Sequence, residues 1–472
     1  MGHKKSKEKE RQMVDEEGEE KKKKEEDEHK RRALDRFVAY LRANGMSEED
    51  FAVEASVLER RYIRLNPFFR CKEEHRQDKG DTVENDSETK LVGARLVSSC
   101  LNIEEKMCSP VDWLPSSHIY AVGGSTRVAC SLAYKSGLLY GIEASSAACV
   151  LALDPQPGDD VLDICCAPGA KYCFLADRMN RVGSVTGVDI NRSRIGVARK
   201  MLIKYGIADH ATSKTSPWRC RLFAVDGTTF GVSPPTAIGS DEVDSDGDYV
   251  DVDYSDNCVL DSKERARLDE RFKTRKRKNK SWRRRERLEN ERRQKKRRRK
   301  MEEERRSSSS APCVSPSTTK QKDNSVATCL YDRVLVDAEC THDGSVKHVA
   351  KFKELGWGTF ERRVMDPERL RSLGTLQRSL IRNGYRLLKP GGTLVYSTCS
   401  LTRSQNEGVV GHFLKSHSGA RLVPLGDWTK RESFPGIAGS LEHTVRFTPR
   451  ASGTSGLFIA KIKKPNGDWA GA

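Results

Sequence analysis

The chain is predicted to be an α/β protein built around a mostly parallel sheet, in which a charged, low-complexity segment interrupts the fold. Short apolar runs rich in Val, Ile and Leu alternate with segments whose apolar residues recur at helical spacing, which indicates strands joined by crossover helices. Several of these runs end in an aspartate, as at Asp163, Asp189 and Asp337. Because open α/β sheets bind ligands at the carboxyl ends of their strands, this edge is the predicted functional one.

The composition indicates that only part of the chain forms a core, since 36% of its 472 residues are hydrophobic and 32% are charged. The formal net charge is +17, and the segment Lys263–Arg306, with 24 basic and 9 acidic residues, accounts for +15 of it. The net charge therefore gives no support to a uniformly basic surface for nucleic acid.

The fourteen cysteines are expected to be reduced thiols, because the Lys/Glu-rich beginning of the chain lacks the apolar segment that directs secretion. CxxC motifs do not occur in pairs at the spacing of a structural zinc site, so no metal is expected. No apolar run reaches membrane-spanning length, so no membrane association is expected.

The N-terminal part is predicted to hold two segments. Residues 1–32 are a charged, disordered tail. Residues 33–109 are a small helical module, since Leu34, Val38 and Leu41 recur at helical spacing, and it leads into a strand at RYIRLNP. The boundaries predicted beyond it are 110–235 and 326–464 for the α/β domain, 236–325 for a disordered insertion and 465–472 for a C-terminal tail.

The stretch Val161–Tyr172, VLDICCAPGAKY, is predicted to be a strand, a tight loop and the start of a helix. Free backbone N–H groups at a helix start, with small residues around Gly169, suit a nucleotide-like ligand. The spacing matches neither the G-x-G-x-x-G dinucleotide fingerprint nor the triphosphate-binding loop. An ordinary strand-to-helix turn is the alternative.

Two further strands are predicted to end in acids. Gly183–Val188 is followed by Asp189, and Leu222–Val225 is followed by Asp226. Carboxylates at these positions can accept hydrogen bonds from ribose hydroxyls or an exocyclic amine. The alternative for each is an acid that caps a turn or a helix.

The insertion breaks the α/β pattern. Asp241–Asp256 contains eight acids and no base, a basic block follows, and a Ser/Pro-rich stretch closes it. The cluster Lys295–Lys300, KKRRRK, predicts a nuclear import signal or an RNA-contacting arm, with a solvated charged helix as the alternative. A nuclear or nucleolar location is therefore expected, with the cytoplasm as the alternative.

Two cysteines, Cys340 and Cys399, follow strands of the second half and lie on the same predicted sheet edge as Gly169. A buried structural thiol is the common alternative for any cysteine. The elements predicted in this half, which bring the total to about seven strands, are strand Arg333–Val336, helix Pro367–Leu388, strand Thr393–Ser397 and a hairpin of Thr444–Phe447 with Leu457–Ile462.

Five motifs occur in order along the chain: DICCAPGAKY, LVDAEC, GYRLLKPGG, VYSTCS and RFTPRASGTSGLFIAKIKK. Together they resemble the RsmB/NOL/NOP/Sun family of S-adenosylmethionine-dependent RNA cytosine-C5 methyltransferases, over residues 110–464 outside the insertion. RYIRLNP in the 33–109 module resembles the RNA-binding lead-in of that family, so RNA binding is expected there as well. The resemblance implies a Rossmann-like class I methyltransferase with a seven-stranded, mostly parallel sheet and a C-terminal antiparallel hairpin. It also implies tRNA or rRNA as the partner, and a monomer is expected.

The resemblance implies a mechanism as well. Carbon 5 of cytosine is a weak nucleophile, so a thiolate must first add to carbon 6. Cys399 corresponds to the family's nucleophile, Cys340 to its release cysteine, and Asp337 to the acid that holds the cytosine at N3 and the exocyclic amine. The residues implied to bind S-adenosylmethionine are Cys165, Cys166, Ala167, Pro168, Gly169, Ala170 and Lys171 at its methionine part, Asp189 at its ribose and Asp226 at its adenine, with Asp337 beside them.

The chain departs from the family pattern around Cys340. Glu339 stands where the family has proline, and its carboxylate is expected to raise the pKa of the adjacent Cys340 thiol or to act as a base itself. His342 and Asp343 are unusual neighbours, either polar partners of the release step or ordinary loop residues. The loop interpretation is favoured.

Two other functions compete with this one. A catalytically silent RNA-binding ribosome-assembly factor that kept the fold is supported by Glu339, whereas retention of both cysteines, Lys171 and Asp337 favours the enzyme. A DNA cytosine methyltransferase is disfavoured, because that class carries its nucleophile in a Pro-Cys motif where this chain has Glu339 before Cys340.

Overall fold

The structure is a computed structural model that describes residues 21–44 in part, 60–69, 86–115, 118–210, 217–235, 258–260, 330–345 and 357–466. Most of the charged tail, nearly all of the insertion with Lys295–Lys300, and the end of the C-terminal tail lie outside the described residues. The predictions for those segments stay predictions. Imaging a fluorescent fusion with and without the KKRRRK cluster tests the nuclear or nucleolar location.

The N-terminal module contains a four-stranded antiparallel sheet in the order β2-β3-β1-β4. Its strands are β1 (Arg60–Leu65), β2 (Cys108–Pro110), β3 (Ile119–Gly123) and β4 (Leu139–Gly141). Helix α1 (Asp86–Leu101) shares an apolar cluster with this sheet through Ala94 and Val97. Residues 35–40 are helical and β1 occupies RRYIRL, as predicted. The other three strands were not predicted, although the aromatic and β-branched residues of IYAVG favour a strand. Two of its strands lie beyond residue 109.

A second sheet has the order β12-β13-β14-β10-β9-β5-β6-β7-β8, with β11 paired to β14. Its strands are β5 (Asp160–Ile164), β6 (Gly183–Val188), β7 (Trp218–Phe223), β8 (Cys258–Leu260), β9 (Tyr331–Asp337), β10 (Leu388–Thr398), β11 (Arg421–Leu422), β12 (Ile437–Ala438), β13 (Val445–Phe447) and β14 (Leu457–Lys463). The strands from β10 to β7 run parallel, and β13 and β14 form the antiparallel hairpin. The seven main strands confirm the predicted α/β fold, and three short strands extend it.

Helices cover both faces of the parallel strands. Helices α3 to α5 cover one face and α8 and α9 the other. The helices that follow α1 are α2 (Leu132–Ser136), α3 (Ala144–Leu153), α4 (Ala170–Arg178), α5 (Arg192–Lys204), α6 (Ile207–His210), α7 (Trp357–Val364), α8 (Pro367–Arg386), α9 (Glu407–Ser416) and α10 (Pro449–Ser452). Neighbouring strand residues point to opposite faces: Val161 packs in the cluster that includes α3, α4 and α5, and Leu162 in the cluster that includes α8 and α9. Among the described helices, none has the length and apolar character to cross a bilayer.

Strand β7 begins four residues before its predicted start and ends two residues before its predicted end. Arg219 and Arg221 alternate with the buried Trp218 and Cys220. The two arginines interrupt the apolar run in the sequence, so the prediction placed the start of the strand too late. The short strand Cys258–Leu260 pairs antiparallel with β7, inside the segment predicted to be disordered. Its pairing covers backbone N–H and C=O groups on the edge of the sheet.

Strand β1 is joined to the main sheet by buried polar contacts. The Arg64 guanidinium pairs with the Asp177 carboxylate of α4, and both side chains are 2% exposed. Arg64 also lies over the Phe174 ring, 4.5 Å from its centroid. The Tyr62 hydroxyl donates to the carbonyl of Gly453 at 2.8 Å. These contacts hold β1 against the end of α4 and against the segment that precedes β14.

Candidate active site

The predicted site residues converge at the carboxyl ends of β5, β9 and β10. Strand β9 lies between the other two, and its last residue, Asp337, is in register with Ser397 of β10. The loop after β5, the turn after β9 and the turn that contains Cys399 therefore meet at one edge of the sheet. The sequence placed these segments on one edge, and the register brings them together.

The loop between β5 and α4 has an unusual backbone. The N–H groups of Cys165 and Cys166 both donate to the carbonyl of Val188, at 2.8 and 3.0 Å, and Cys165 has a φ of +69°. Gly169 has a φ of +108°, and a Cβ at this position would lie 3.3 Å from the Cα of Ala198. A glycine is favoured here because the backbone is left-handed and approaches α5 closely. Helix α4 begins at the next residue, as predicted.

A cavity of about 370 Å³ opens beside this loop. The predicted site residues that line it are Cys165, Cys166, Ala167, Pro168, Ala170, Lys171 and Asp337. Tyr62 of the N-terminal sheet and Glu143 before α3 also line it, and neither was predicted. A ligand in this cavity would therefore contact both sheets of the protein.

Asp189 and Asp226 follow β6 and β7 as predicted, but neither lines the cavity. Asp189 is 3% exposed, and its carboxylate accepts a hydrogen bond from the Asn191 N–H at 2.8 Å and lies 3.2 Å from Arg194. Asp226 is exposed and accepts hydrogen bonds from the N–H and hydroxyl of Thr228, both at 2.8 Å. Their roles at the ribose and adenine stay predictions.

Asp163 is a site residue that the sequence analysis missed as a ligand. Its carboxylate is fully buried, lines the cavity and has no hydrogen-bond partner among the described residues. Burial raises the pKa of this carboxyl well above its ordinary value, and the negative charge of Asp337 adds to the rise. A buried carboxylate is costly unless it is paired, so Asp163 favours a ligand that brings a cation or hydrogen-bond donors into the cavity.

Lys171 connects the first turn of α4 to the end of β9. Its Nζ lies 2.8 Å from Oδ2 of Asp337 and donates to the hydroxyl of Ser146 at 3.3 Å. The hydroxyl of Ser397 donates to the other Asp337 oxygen at 2.7 Å. Burial alone would lower the pKa of Lys171, but the carboxylate of Asp337 raises it. Lysine and aspartate are therefore held as an ion pair at the wall of the cavity.

The two predicted catalytic cysteines are in contact. Their sulfur atoms lie 3.4 Å apart; Cys340 is fully buried and Cys399 is half-buried. Burial raises the pKa of the Cys340 thiol well above its ordinary value, and the neighbouring Cys399 adds to the rise. The expected cause was Glu339, but its side chain is 48% exposed and its carboxylate lies 3.8 Å from Arg369. Burial is the cause because it removes the thiolate from water.

His342 meets both thiols. Its Nδ1 lies 2.9 Å from the Cys399 sulfur and 3.7 Å from the Cys340 sulfur. His342 does lie in a loop. The loop interpretation missed its contact with the thiols, because the sequence does not determine which way a side chain points in a turn. The two sulfur atoms and the imidazole nitrogen lie within 4.8 Å of one another. The contacts among the three side chains explain this closeness without a bound metal ion. The expectation that no metal is bound stays a prediction.

The fold and the site define a Rossmann-like class I methyltransferase. A family model for 16S rRNA methyltransferase RsmB/F matches residues 150–214 and 286–463, which is more than half of the chain. The chain belongs to this RsmB/F family. The resemblance found in the five motifs is thereby confirmed.

Relatives cover most of the chain at low identity. It is 25% identical over 335 residues to ribosomal RNA small subunit methyltransferase F of Klebsiella pneumoniae, which covers 70% of this chain and 46% of that protein. It is 23% identical over 374 residues to tRNA (cytosine(49)-C(5))-methyltransferase of Pyrococcus abyssi, covering 77% of this chain and 82% of that protein. The chain thus spans about half the length of the Klebsiella relative.

A solved structure, the methyltransferase homolog protein from Pyrococcus horikoshii, is 20% identical, covers 86% of each chain and has a TM-score of 0.46.

The cofactor of this class, S-adenosylmethionine, fits the residues present. It carries an ammonium group and a sulfonium, and the cavity presents the unpaired, buried carboxylate of Asp163. The loop from Cys165 to Ala170 supplies small side chains on the same wall. S-adenosylmethionine would bring a positively charged group to the Asp163 carboxylate, which has no hydrogen-bond partner among the described residues.

Proposed function

We propose that this chain transfers a methyl group from S-adenosylmethionine to carbon 5 of cytosine in RNA through a covalent cysteine adduct. One observation carries the proposal: the sulfur atoms of Cys340 and Cys399 lie 3.4 Å apart, at the sheet edge where Asp337 lines the cavity, although neither cysteine lines the cavity itself. Two adjacent thiols suit a reaction in which one sulfur adds to the base and a second group removes a proton. RNA as the substrate class is supported by the family and by the rRNA and tRNA named for the two relatives described above.

The nucleophile in this proposal is Cys399. Cytosine becomes nucleophilic at carbon 5 only after addition at carbon 6, and a thiolate is well suited to that addition. Cys399 is the more accessible of the two thiols, since it is half-buried whereas Cys340 is fully buried. The sulfur that must reach carbon 6 is therefore the one closer to solvent.

Asp337 orients the base. Its carboxylate is fixed by Lys171 at 2.8 Å and by the Ser397 hydroxyl at 2.7 Å. A fixed carboxylate can accept hydrogen bonds from the exocyclic amine and from a proton on N3, and so favours the N3-protonated base, in which the negative charge from addition at carbon 6 is neutralised. Lys171 and Ser397 hold its direction before the base arrives, so the charge is stabilised without rearrangement.

Cys340 removes the proton from carbon 5 in the release step. Its raised pKa means that its thiolate, once formed, binds a proton strongly. Its sulfur touches that of Cys399, so the groups that add and release act on adjacent carbons of one ring. Expulsion of the Cys399 thiolate then restores the double bond.

The methyl group comes from S-adenosylmethionine, which supplies it on a positively charged sulfur. Asp163 and Lys171, with the loop around Pro168, line the cavity that would hold its methionine part. Asp189 and Asp226 are assigned to the ribose and adenine. The N-terminal strands contribute Tyr62 to the same cavity, so in this proposal they take part in cofactor binding as well as in the RNA binding that the family resemblance implies.

The test is methyl transfer from labelled S-adenosylmethionine to total RNA, measured for three variants. Cys399→Ala is expected to abolish transfer, because the adduct cannot form. Cys340→Ala is expected to accumulate a covalent protein–RNA adduct on a denaturing gel, because release fails. Cys130→Ala, at an exposed cysteine away from the cavity, is the matched control and should leave transfer unchanged.

Full transfer by Cys399→Ala would refute the adduct mechanism. No transfer by the unmodified protein to any RNA, together with RNA binding, would instead favour the catalytically silent assembly factor. Bisulfite sequencing of RNA from cells that lack the protein would then identify the cytosine that is modified.

A further inference from the structure

One imidazole nitrogen serves as a neighbour to both thiols of the site. Nδ1 of His342 lies 2.9 Å from the Cys399 sulfur and 3.7 Å from the Cys340 sulfur. His342 is half-buried, so its ring is also close enough to solvent to exchange a proton with water. This arrangement is that of a nucleophile with an adjacent base.

The turn that carries His342 fixes this position. His342 has a φ of +58°, a left-handed backbone conformation that residues other than glycine rarely adopt. Asp343 is fully buried; it accepts hydrogen bonds from the hydroxyl of Thr341 and from the N–H of Leu401, the latter at 2.9 Å. Gly344 N–H donates to the carbonyl of Cys399 at 3.0 Å. An unfavourable backbone held by such a network is typical of functional sites.

The charges around His342 favour a proton on its ring. The hydrogen bond to Cys340 raises the pKa of His342; burial opposes this, and the negative charges of Asp337 and Glu339 add to the increase. Lys171 is paired with Asp337 and so reduces the negative charge on that side. The carboxylate of Asp343 is engaged by its own turn, as described above.

We propose that His342 takes the proton of Cys399, so that the nucleophile of the proposed reaction stands as a thiolate paired with an imidazolium. The inference rests on the proposed function and assigns a positioning and proton-holding residue that none of the five motifs indicated. The Asp343 network places the ring, and the ring keeps the Cys399 sulfur charged and directed.

The proton balance closes with one imidazole. The Cys399 thiolate forms the bond to carbon 6, the π electrons of the ring pass to carbon 5, and carbon 5 takes up the methyl group. The imidazolium loses its proton to water, and the neutral ring then takes the proton of Cys340. The Cys340 thiolate removes the proton from carbon 5, and the electrons of the carbon–sulfur bond return to Cys399. One proton is released per turnover, and the imidazolium–thiolate pair is restored.

The test measures alkylation of Cys399 by iodoacetamide in the full chain, without RNA or cofactor and with a chelator present. Mass spectrometry of the peptides follows Cys399 and, as an internal reference, the exposed Cys130 in the same samples. The variant is His342→Asn, because asparagine tolerates the left-handed backbone but cannot take up the proton. The matched control is His443→Asn, since His443 has a φ of +64° and lies away from the thiols.

In the unmodified protein, Cys399 should react rapidly at about pH 6.5, where an ordinary thiol is about 1% ionised. His342→Asn should slow this reaction by about tenfold or more, with recovery as the pH rises through the range of an ordinary thiol. Cys130 should respond to pH alike in every variant, and His443→Asn should match the unmodified protein.

Two results would overturn the inference: an unchanged pH profile for Cys399 in His342→Asn, or a Cys399 profile in the unmodified protein that coincides with that of Cys130. If His342→Asn unfolds, the second comparison decides by itself. Because the alkylation needs no methyl transfer, failure of the proposed function is visible separately in the RNA assay.

Discussion

Two loops at the carboxyl edge of the sheet contain the same kinds of residue and differ in what those residues do. The loop after β5 carries Cys165 and Cys166, and the turn after β9 carries Cys340 and His342. Each has a non-glycine residue with positive φ, at Cys165 and at His342. Burial raises the pKa of the Cys166 thiol well above its ordinary value, and no imidazole lies beside it among the described contacts.

The thiols of the first loop therefore fill space beside the cavity, whereas the Cys340 thiol of the second loop is one that we propose to react. A Cβ on Gly187 would lie 2.8 Å from the Cys166 sulfur, so that sulfur fills space between β5 and β6. The second loop brings the Cys340 sulfur and the His342 ring nitrogen against the Cys399 sulfur, which lies in the turn after β10. The comparison teaches that a thiol's role is set by its neighbours in space, not by its residue type or its place after a strand.

Lys171 in the first turn of α4 and Asp337 at the end of β9 form an ion pair that joins the elements next to the two loops. Breaking this pair should have the largest effect on methyl transfer. Lys171→Met is expected to lower methyl transfer by about 10²-fold, because Asp337 loses the partner that orients it. Transfer from labelled S-adenosylmethionine to RNA measures this. The matched control is Lys389→Met, which removes a lysine 2.9 Å from Asp332 at the opposite end of β9. Equal losses for the two variants would contradict a special role for the link.

The packing role of the first loop is tested at Gly169. Gly169→Ala should destabilise the protein by about 1–2 kcal/mol for the left-handed backbone, with an added cost for crowding against Ala198. Gly158→Ala is the control, since Gly158 has a φ of +94° and open space where the Cβ would lie. Chemical denaturation measures both. If the two variants lose the same stability, the loop does not pack tightly on α5.

A smaller, pH-dependent effect on stability is expected at Arg446, which anchors the segment after Cys399 to Glu407. Arg446 donates to the carbonyl of Leu401 at 2.6 Å, and its Nε lies 2.8 Å from the Glu407 carboxylate. Burial alone would raise the pKa of Glu407, but the hydrogen bond and charge of Arg446 lower it below 4.5. Its contribution to stability is therefore full above the unfolded pKa and is lost as the pH falls through the folded one.

Thermal unfolding between neutral and acidic pH measures this contribution. The unmodified protein should lose melting temperature below about pH 4.5. Glu407→Gln should be less stable at neutral pH and should fall less steeply in acid. A parallel decline of the two proteins would show that the anchor does not titrate.

Much of the fold could be predicted from the sequence because it depends on local patterns. Apolar runs and helical periodicity gave the parallel strands and their helices, and the aspartates Asp163, Asp189 and Asp337 marked the functional edge. The errors lie where tertiary pairing overrides a weak local pattern. Arg219 and Arg221 hid the start of β7, and the strands of the N-terminal sheet are too short and too far apart in sequence to reveal their partner strands.

The sequence by itself determined the family, the parallel sheet, and the residues that reach its carboxyl edge: Lys171, Asp337, Cys340 and Cys399. Only the tertiary structure decided which of them touch. The 3.4 Å contact between sulfurs 59 residues apart, the ring of His342 beside them and the unpaired carboxylate of Asp163 depend on side-chain direction and on strand register. Periodicity encodes which residues are buried, but the partners of a buried group are chosen by packing across the sheet.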